Sequence, residues 1–333
     1  MFQTEINHFF QSLEFPGLTS FMRFITALGY TEFFMLFLIV FLLGINYKKA
    51  FILFLVLMWT AAITFLGKNY FELPRPFHVD NTLAFLDGQL PDQNTFTFSK
   101  RGAPSFWAPL PADVVAKTRQ AEHIEYGFPS GHTSIAIALW GTLFCLYKEK
   151  WIRVICVALM ILIPLSRIYL GVHFLADVVG GAVLGGSLWF LTYLLILKKS
   201  RLQPFLAQQY FPLGINALTL FLLLSPIVFL LLLPNRIYIL PAFMLGFGLG
   251  FLLVGHKGIP SDEGSLGIRL ARTVLGALLF VGAGYLLKQL AIAIGMNTVL
   301  GDFIQNMLSG IILVWGATEI GIRLGWFKRG KIV

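Results

Sequence analysis

Apolar stretches of about 20 residues recur along almost the whole chain, the length an α-helix needs to cross the roughly 30 Å hydrocarbon core of a bilayer. Because that core offers no water to unpaired backbone groups, such stretches must satisfy their own hydrogen bonds as helices. Only 12% of the 333 residues are charged and 57% are hydrophobic, against about 25% charged in soluble proteins, and the mean hydropathy is +0.78. The predicted fold class is therefore all-α, a polytopic transmembrane bundle. About nine spans are expected, roughly at 31–46, 50–67, 133–147, 151–168, 174–197, 211–233, 237–255, 273–294 and 303–322.

Basic residues orient the bundle. Lys48 and Lys49; Lys148, Lys150 and Arg153; Lys198, Lys199 and Arg201; Lys257, Arg269 and Arg272; and Arg323, Lys328, Arg329 and Lys331 fall at alternate ends of successive spans. Short loops rich in Lys and Arg stay in the cytoplasm, which puts the N-terminus outside and the C-terminus inside. The net charge of +9 then reads first as a topology signal, with attraction to anionic headgroups second, and nothing in it points to nucleic acid. Residues 1–30 lack the basic region of a signal peptide and carry Phe9, Phe10, Leu13 and Phe15, as expected of a short interfacial segment. Cys145 and Cys156 sit within apolar runs and read as small core residues, with no disulfide or zinc framework.

Three polar clusters interrupt this oily background at the outward ends of spans. In the first, Lys68 closes one span and Arg75 follows between Pro74 and Pro76, which hold the backbone extended and give the guanidinium a fixed direction. Taken alone, basic residues at a span end are snorkelling anchors. The second, Pro129-Ser130-Gly131-His132, precedes a span beginning near His132-Thr133. Gly131 lets a ligand approach the backbone, and the free amides and positive dipole of the helix start suit an anion. Average composition would give this tetrapeptide by chance in about one chain in a thousand of this size. The third is Ser166-Arg167 followed by His173 and Asp177. Their four-residue spacing places His173 and Asp177 on one face of the helix opening the next span, where the carboxylate accepts one imidazole N–H and leaves the other nitrogen as a nucleophile of defined tautomer. Together the clusters hold two imidazoles, three fixed cations and one carboxylate, an inventory suited to holding and moving a phosphoryl group.

The pattern Lys68-x6-Arg75-Pro76, Pro129-Ser130-Gly131-His132 and Ser166-Arg167-x5-His173-x3-Asp177 resembles the three signature motifs of the phosphatidic acid phosphatase type 2 superfamily, the integral-membrane lipid phosphate phosphatases. All three match in order and spacing, and the resemblance covers about residues 30–197. It implies an acid-phosphatase type of phosphomonoesterase or diphosphatase. His173 would attack phosphorus to form a phosphohistidine, Asp177 would orient His173, and His132 would protonate the leaving group. Lys68, Arg75, Arg167, Ser130 and the Gly131 amide would bind the phosphoryl oxygens. No acidic cluster of the kind magnesium or zinc needs accompanies these residues, so neither cofactor nor metal is expected.

The expected organisation is an interfacial segment at 1–30, a phosphatase core at 31–200 with a long outward loop at 69–128, and a C-terminal extension of about four spans at 205–333. Prolines including Pro91 and aromatics including Phe96 favour a structured cap over a loose linker for that loop. In the extension, Gly246, Gly248 and Gly250, then Gly276, Gly282 and Gly284, read as close-packing signals. Its two intramembrane charges, Lys288 and Glu319, lie at opposite depths and are not expected to pair. The resulting expectation is a lipid phosphatase of a bacterial inner (cytoplasmic) membrane with its site facing outward. Candidate substrates are an isoprenoid diphosphate, phosphatidate, phosphatidylglycerol phosphate or a sphingoid phosphate. The competing readings are a lipid phosphotransferase using the same intermediate and a transporter or flippase with a phosphate-binding domain.

Overall fold

The computed structural model describes residues 1–88, 98–120, 125–232 and 238–330; Pro91 and Phe96 of the outward loop lie outside them. Among the described residues every regular element is helical. The N-terminal part holds α1 (Glu5–Ser12), α2 (Leu18–Ala27), α3 (Thr31–Ile39, continued by a π turn at Val40–Ile45), α4 (Tyr47–Phe71), α5 (Pro76–Val79), α6 (Ala112–Gln120), α7 (Gly131–Leu146), α8 (Lys150–Tyr169) and α9 (Leu175–Thr192). There follow α10 (Lys199–Ala207), α11 (Ala217–Leu232), α12 (Ile239–Lys257), α13 (Leu266–Ala293), α14 (Val299–Ile311, continued by a π turn at Ile312–Gly316) and α15 (Ala317–Arg323). Among the described residues each of the expected apolar stretches overlaps a helix. Six helical segments are long and apolar enough to cross a membrane, and α2 with α3, bent by 55°, makes a further candidate. Helices α7 and α11 are apolar but shorter, at 16 residues each. The chain is a multi-pass helical membrane protein.

Two compact units emerge, one of residues 1–34 and 59–198, the other of residues 35–58 and 199–333. One crossing between them, at Lys198–Lys199, lies where the chemistry-bearing sequence stops. Residues 35–58, expected with the phosphatase core, cluster instead with the C-terminal helices. The reason is aromatic packing on the first half of α4. Phe51 stacks on Phe251 with ring centroids 3.6 Å apart, and Phe54 on Phe247 at 3.5 Å. At the head of the same helix, Asp262 accepts both the Tyr47 amide (2.9 Å) and the Asn46 side chain (2.7 Å).

Within the second unit, Gly246 and Gly250 of α12 meet the backbone of α14 and Val314 so closely that a Cβ at either would collide. Lys288 pairs with Asp302 at 2.7 Å, while Glu319 takes two bonds from Arg329 at 2.8 and 2.9 Å. Each intramembrane charge thus has its own counter-ion. Leu270, Val274, Leu278, Val281 and Tyr285 form an exposed stripe along α13, at the three- and four-residue spacing of one helix face, an apolar surface suited to lipid.

In the first unit, α7 packs against both α8 and α9. The α7–α9 crossing depends on missing side chains, because a Cβ at Gly181 would fall on the Ser130 carbonyl and one at Gly185 on the Ser134 backbone. Small residues four apart let two helix backbones touch, here at the point where the Pro129–His132 turn must lie beside the start of α9. Gly186, the next residue, faces open space. Gly185→Ala is therefore expected to cost about 1–3 kcal/mol through overpacking, while Gly186→Ala should be neutral or gain about 0.5–1 kcal/mol from helix propensity. Thermal unfolding midpoints in detergent compare the two, and equal midpoints would mean that the helices do not touch at Gly185.

Candidate active site

The site is built where the turns after α8 and before α7 meet the end of α4, all within the first unit. Asp177 is the third residue of α9, and its Oδ2 reaches back to accept the Phe174 amide at 3.0 Å and His173 Nδ1 at 3.1 Å. His173 is thus not on the helix face expected from the spacing. It lies two residues ahead of α9, and the pair forms because a carboxylate at the third helical position naturally turns back toward the N-terminus. Both side chains are buried. With Asp177 ionised, the proton of the imidazole sits on Nδ1 and Nε2 carries the free lone pair.

The turn that carries His173 is fixed from several sides. The amides of Val172 and His173 donate to the Arg167 carbonyl, at 3.2 and 3.3 Å. Gly171 has φ +76°, and a Cβ there would strike the Ala84 carbonyl, so a side chain is disfavoured on both counts. Asn7, fully buried on α1, donates to the carbonyls of Ile168 and His173, each at 2.9 Å. His8 on the same helix meets Asp80 at 3.1 Å. Burial raises the pKa of Asp80, but bonds from Thr82, His8 and backbone amides bring it down to about 2. The segment expected to lie at the interface is therefore a structural wall of the site.

The second cluster closes over Asp177. The Ser130 amide donates to the Asp177 carbonyl at 2.9 Å, and Ser130 Oγ accepts from Thr133 at 3.1 Å. Helix α7 begins at Gly131, so His132 occupies its first turn. The imidazole of His132 packs edge-on to the Tyr30 ring, with centroids 4.9 Å apart. Its Nε2 is buried and has no partner among the described residues.

The three cations differ in how they are held. Lys68 Nζ donates to the carbonyls of Tyr126 (2.5 Å) and Gly127 (3.2 Å). Arg75, with extended backbone at φ −89° and ψ 164° as expected beside proline, donates through Nε to the Glu125 carbonyl (3.1 Å) and through Nη2 to the Glu125 carboxylate (2.8 Å). Glu125 is 73% exposed, so water can readily replace it. Arg167 is 3% exposed and bonds through Nη1 to Thr26 and to Asp87, the latter at 2.9 Å. All three act on His173: burial first, then Arg75, Lys68, Arg167 and His132, hold its imidazole well below the usual histidine pKa. The eight residues picked from the sequence thus converge on one place. Asn7, Thr26, Tyr30, Asp87 and Glu125 join them without a sequence signal of comparable strength. Among the described residues no group of three or more His, Cys, Asp or Glu side chains is placed to hold a metal ion.

Two family models match the chain. One describes the PAP2 superfamily and covers residues 49–201; the other describes a transmembrane extension of PAP2 superfamily phosphatases and covers residues 238–329. Residues 49–201 are a PAP2 superfamily domain. Among curated proteins, lipid A 4'-phosphatase of Bacteroides thetaiotaomicron is 31% identical over 33% of this chain and 54% of its own length. Phosphatidylglycerophosphatase B of Bacillus subtilis is 36% identical over 20% of this chain and 37% of its own. Undecaprenyl-diphosphatase of Sulfolobus acidocaldarius is 34% identical over 20% and 32%. The chain spans about half or less of the length of the curated relatives it matches. Those relatives of the PAP2 domain are lipid phosphatases that differ in the lipid they name and share the phosphoryl end.

Removing the Asn7 side chain leaves the His173 carbonyl without its donor, at a cost of about 1–3 kcal/mol, and takes one of two donors from the Ile168 carbonyl, which keeps the Gly171 amide at 3.1 Å. Asn7→Ala is therefore expected to lower the thermal unfolding midpoint in detergent by several degrees. An unchanged midpoint would mean that α1 does not brace the turn.

Proposed function

We propose that the PAP2 domain hydrolyses a lipid phosphomonoester or diphosphate through a phosphohistidine on His173. The observation that carries this reading is the His173–Asp177 pair, buried, with its bare nitrogen among three cations. Nε2 of His173 attacks phosphorus as the bond to the lipid oxygen breaks, and His132, protonated at this stage, gives its proton to that oxygen. Neutral His132 then takes a proton from water, whose oxygen attacks the phosphohistidine, and inorganic phosphate leaves with His173 restored. The Nδ1 proton stays shared with Asp177 throughout, so the imidazolium-like charge that grows on His173 is balanced in place.

Lys68, Arg75, Arg167, Ser130 and the Gly131 amide bind the phosphoryl oxygens, where transition-state charge collects. Arg75 exchanges its exposed Glu125 partner for phosphate. The lipid class stays as broad as the shared phosphoryl end allows: an isoprenoid diphosphate, phosphatidate, phosphatidylglycerol phosphate or a lipid A phosphate. Five basic loops or tails support an orientation with the site outside the cytoplasm.

His173→Ala is expected to abolish both turnover and the covalent phosphoenzyme, and His132→Ala to lose turnover while still forming phosphoenzyme slowly from a substrate with a good leaving group. Hydrolysis of lipid phosphates by the His173→Ala protein at the wild-type rate would sink the mechanism. Activity should persist in EDTA, because the fixed cations supply the charge that a metal would.

The pH profile carries a further expectation. Attack needs neutral His173, and protonation disables it only as pH falls through a pKa held below the ordinary value near 6.5. The acid limb of kcat/KM should therefore lie below that value; a limb above it would put a different group in control. For sidedness, a cysteine at Lys117 in a background lacking Cys145 and Cys156 should react with an impermeant reagent from outside, and one at Lys199 should not. The reverse pattern would move the site to the cytoplasm.

A further inference from the structure

Arg167 is held at one end and open at the other. Its Nη1 has two hydrogens, and both are used: one bonds Thr26 Oγ1 on α2 and the other Asp87 Oδ2 on the loop after α5, at 2.9 Å. Its Nε is buried and has no partner among the described residues. The edge formed by Nε and Nη2 is the side-on fork through which a guanidinium grips a carboxylate or phosphate with two parallel bonds. Asp87 does not occupy Nε, the donor left over on that edge. It is on the opposite nitrogen, and it is itself fixed, because the Tyr30 hydroxyl donates to the same Oδ2 at 2.8 Å. Tyr30 in turn lies edge-on to His132.

Arg75 makes the opposite arrangement. There Nε and Nη2, the fork itself, are taken by Glu125, and the acid is 73% exposed. The Asp87–Arg167 pair is largely buried, at 10% and 3% exposure, so its charges are not readily handed to water when a ligand arrives.

We propose that Asp87, backed by Tyr30 and Thr26, is a positioning residue that anchors Nη1 of Arg167 and so aims the free Nε edge of the guanidinium at the phosphoryl group. Asp87 stays in place when phosphate binds; it does not compete for the seat. The same contacts couple the aim of Arg167 to the shelf behind His132, so that phosphate binding and leaving-group protonation share one support. This inference rests on the phosphatase reading for its kinetic arm and on anion binding alone for its second arm.

The test uses the full chain in detergent with the lipid phosphate that the wild type hydrolyses fastest, and orthovanadate as a binding probe read by its effect on the thermal midpoint. Asp87→Ala should lower kcat/KM by about 10- to 100-fold, the range seen when a group that orients a catalytic ligand is removed. It should also weaken orthovanadate binding. In an Arg167→Ala background the same change should cost no more than about twofold, because Asp87 acts through Arg167. Asp87→Asn, which keeps an oxygen acceptor, should recover much of the loss. Tyr30→Phe removes one hydroxyl without a charge and should give a smaller loss, again absent without Arg167, which keeps the idea testable if Asp87→Ala folds poorly.

Multiplicative losses with Arg167→Ala, or wild-type kinetics for both Asp87→Ala and Tyr30→Phe, would overturn the proposal. Tighter orthovanadate binding by Asp87→Ala would also do so, by making the carboxylate a competitor. If the wild type hydrolyses no lipid phosphate yet binds orthovanadate with the expected mutant pattern, the phosphatase reading falls and this one stands. If hydrolysis is normal and unmoved by Asp87, the reverse holds.

Discussion

The carboxyl end of Asp177 and its own backbone carbonyl together hold the site in register. One carboxylate oxygen stops the N-terminus of α9 and fixes the His173 imidazole, while the main-chain carbonyl takes the Ser130 amide. A single residue thus joins the His173 turn to the turn that begins α7. Its other carboxylate oxygen is buried without a partner among the described residues. A half-satisfied buried carboxylate is costly. It persists where cations lie near, and Lys68 and Arg75 supply that field. The glycines at 181 and 185 belong to the same device, because without their close contacts the Ser130 amide could not reach Asp177.

Charge balance at the resting site is local and graded. Three cations in a largely apolar unit would repel one another and the neighbouring imidazoles, and each is offset by a different kind of group: carbonyls for Lys68, an exposed carboxylate for Arg75, a largely buried carboxylate for Arg167. An exposed acid is displaced at small cost, since water solvates it, whereas a largely buried ion pair is not dissolved without leaving a bare charge. Of the three cations, Arg75 thus holds the most readily exchanged partner and Arg167 the least.

How far the sequence discloses this follows from contrast. Lys68, Arg75, His132, Arg167, His173 and Asp177 stand out because polar residues at the ends of apolar spans are expensive, and their types and spacing leave few uses. Asn7, Thr26, Tyr30, Asp87 and Glu125 lie in segments of ordinary polarity, where a single polar residue carries no information until the fold brings it to the site. The hydrogen bond between His173 and Asp177 was legible from their spacing, but the placement of His173 ahead of the helix was not. A four-residue separation fits a pair along a helix and equally a carboxylate reaching back past the helix start, and only the position of the first helical residue separates the two.

The division of the chain was legible at the Lys198–Lys199 crossing and hidden at the one within α4 for a related reason. Helix α4 is continuous over 25 residues, so nothing in its apolar pattern marks the change between Met58 and Trp59. Its first half finds Phe247 and Phe251 on α12 and Asp262 beside α13, contacts more than 190 residues away in sequence that only folding creates. Its last turn carries Lys68. The residues that support the start of α4 are thus encoded in the extension, and a chain ended near Arg201 would lose the partners of Tyr47, Phe51 and Phe54 while retaining every signature residue. In this protein the presence of all three signature motifs does not define a segment whose helices all keep their packing partners, because the helix that carries Lys68 draws its other half's contacts from beyond the motif-bearing region.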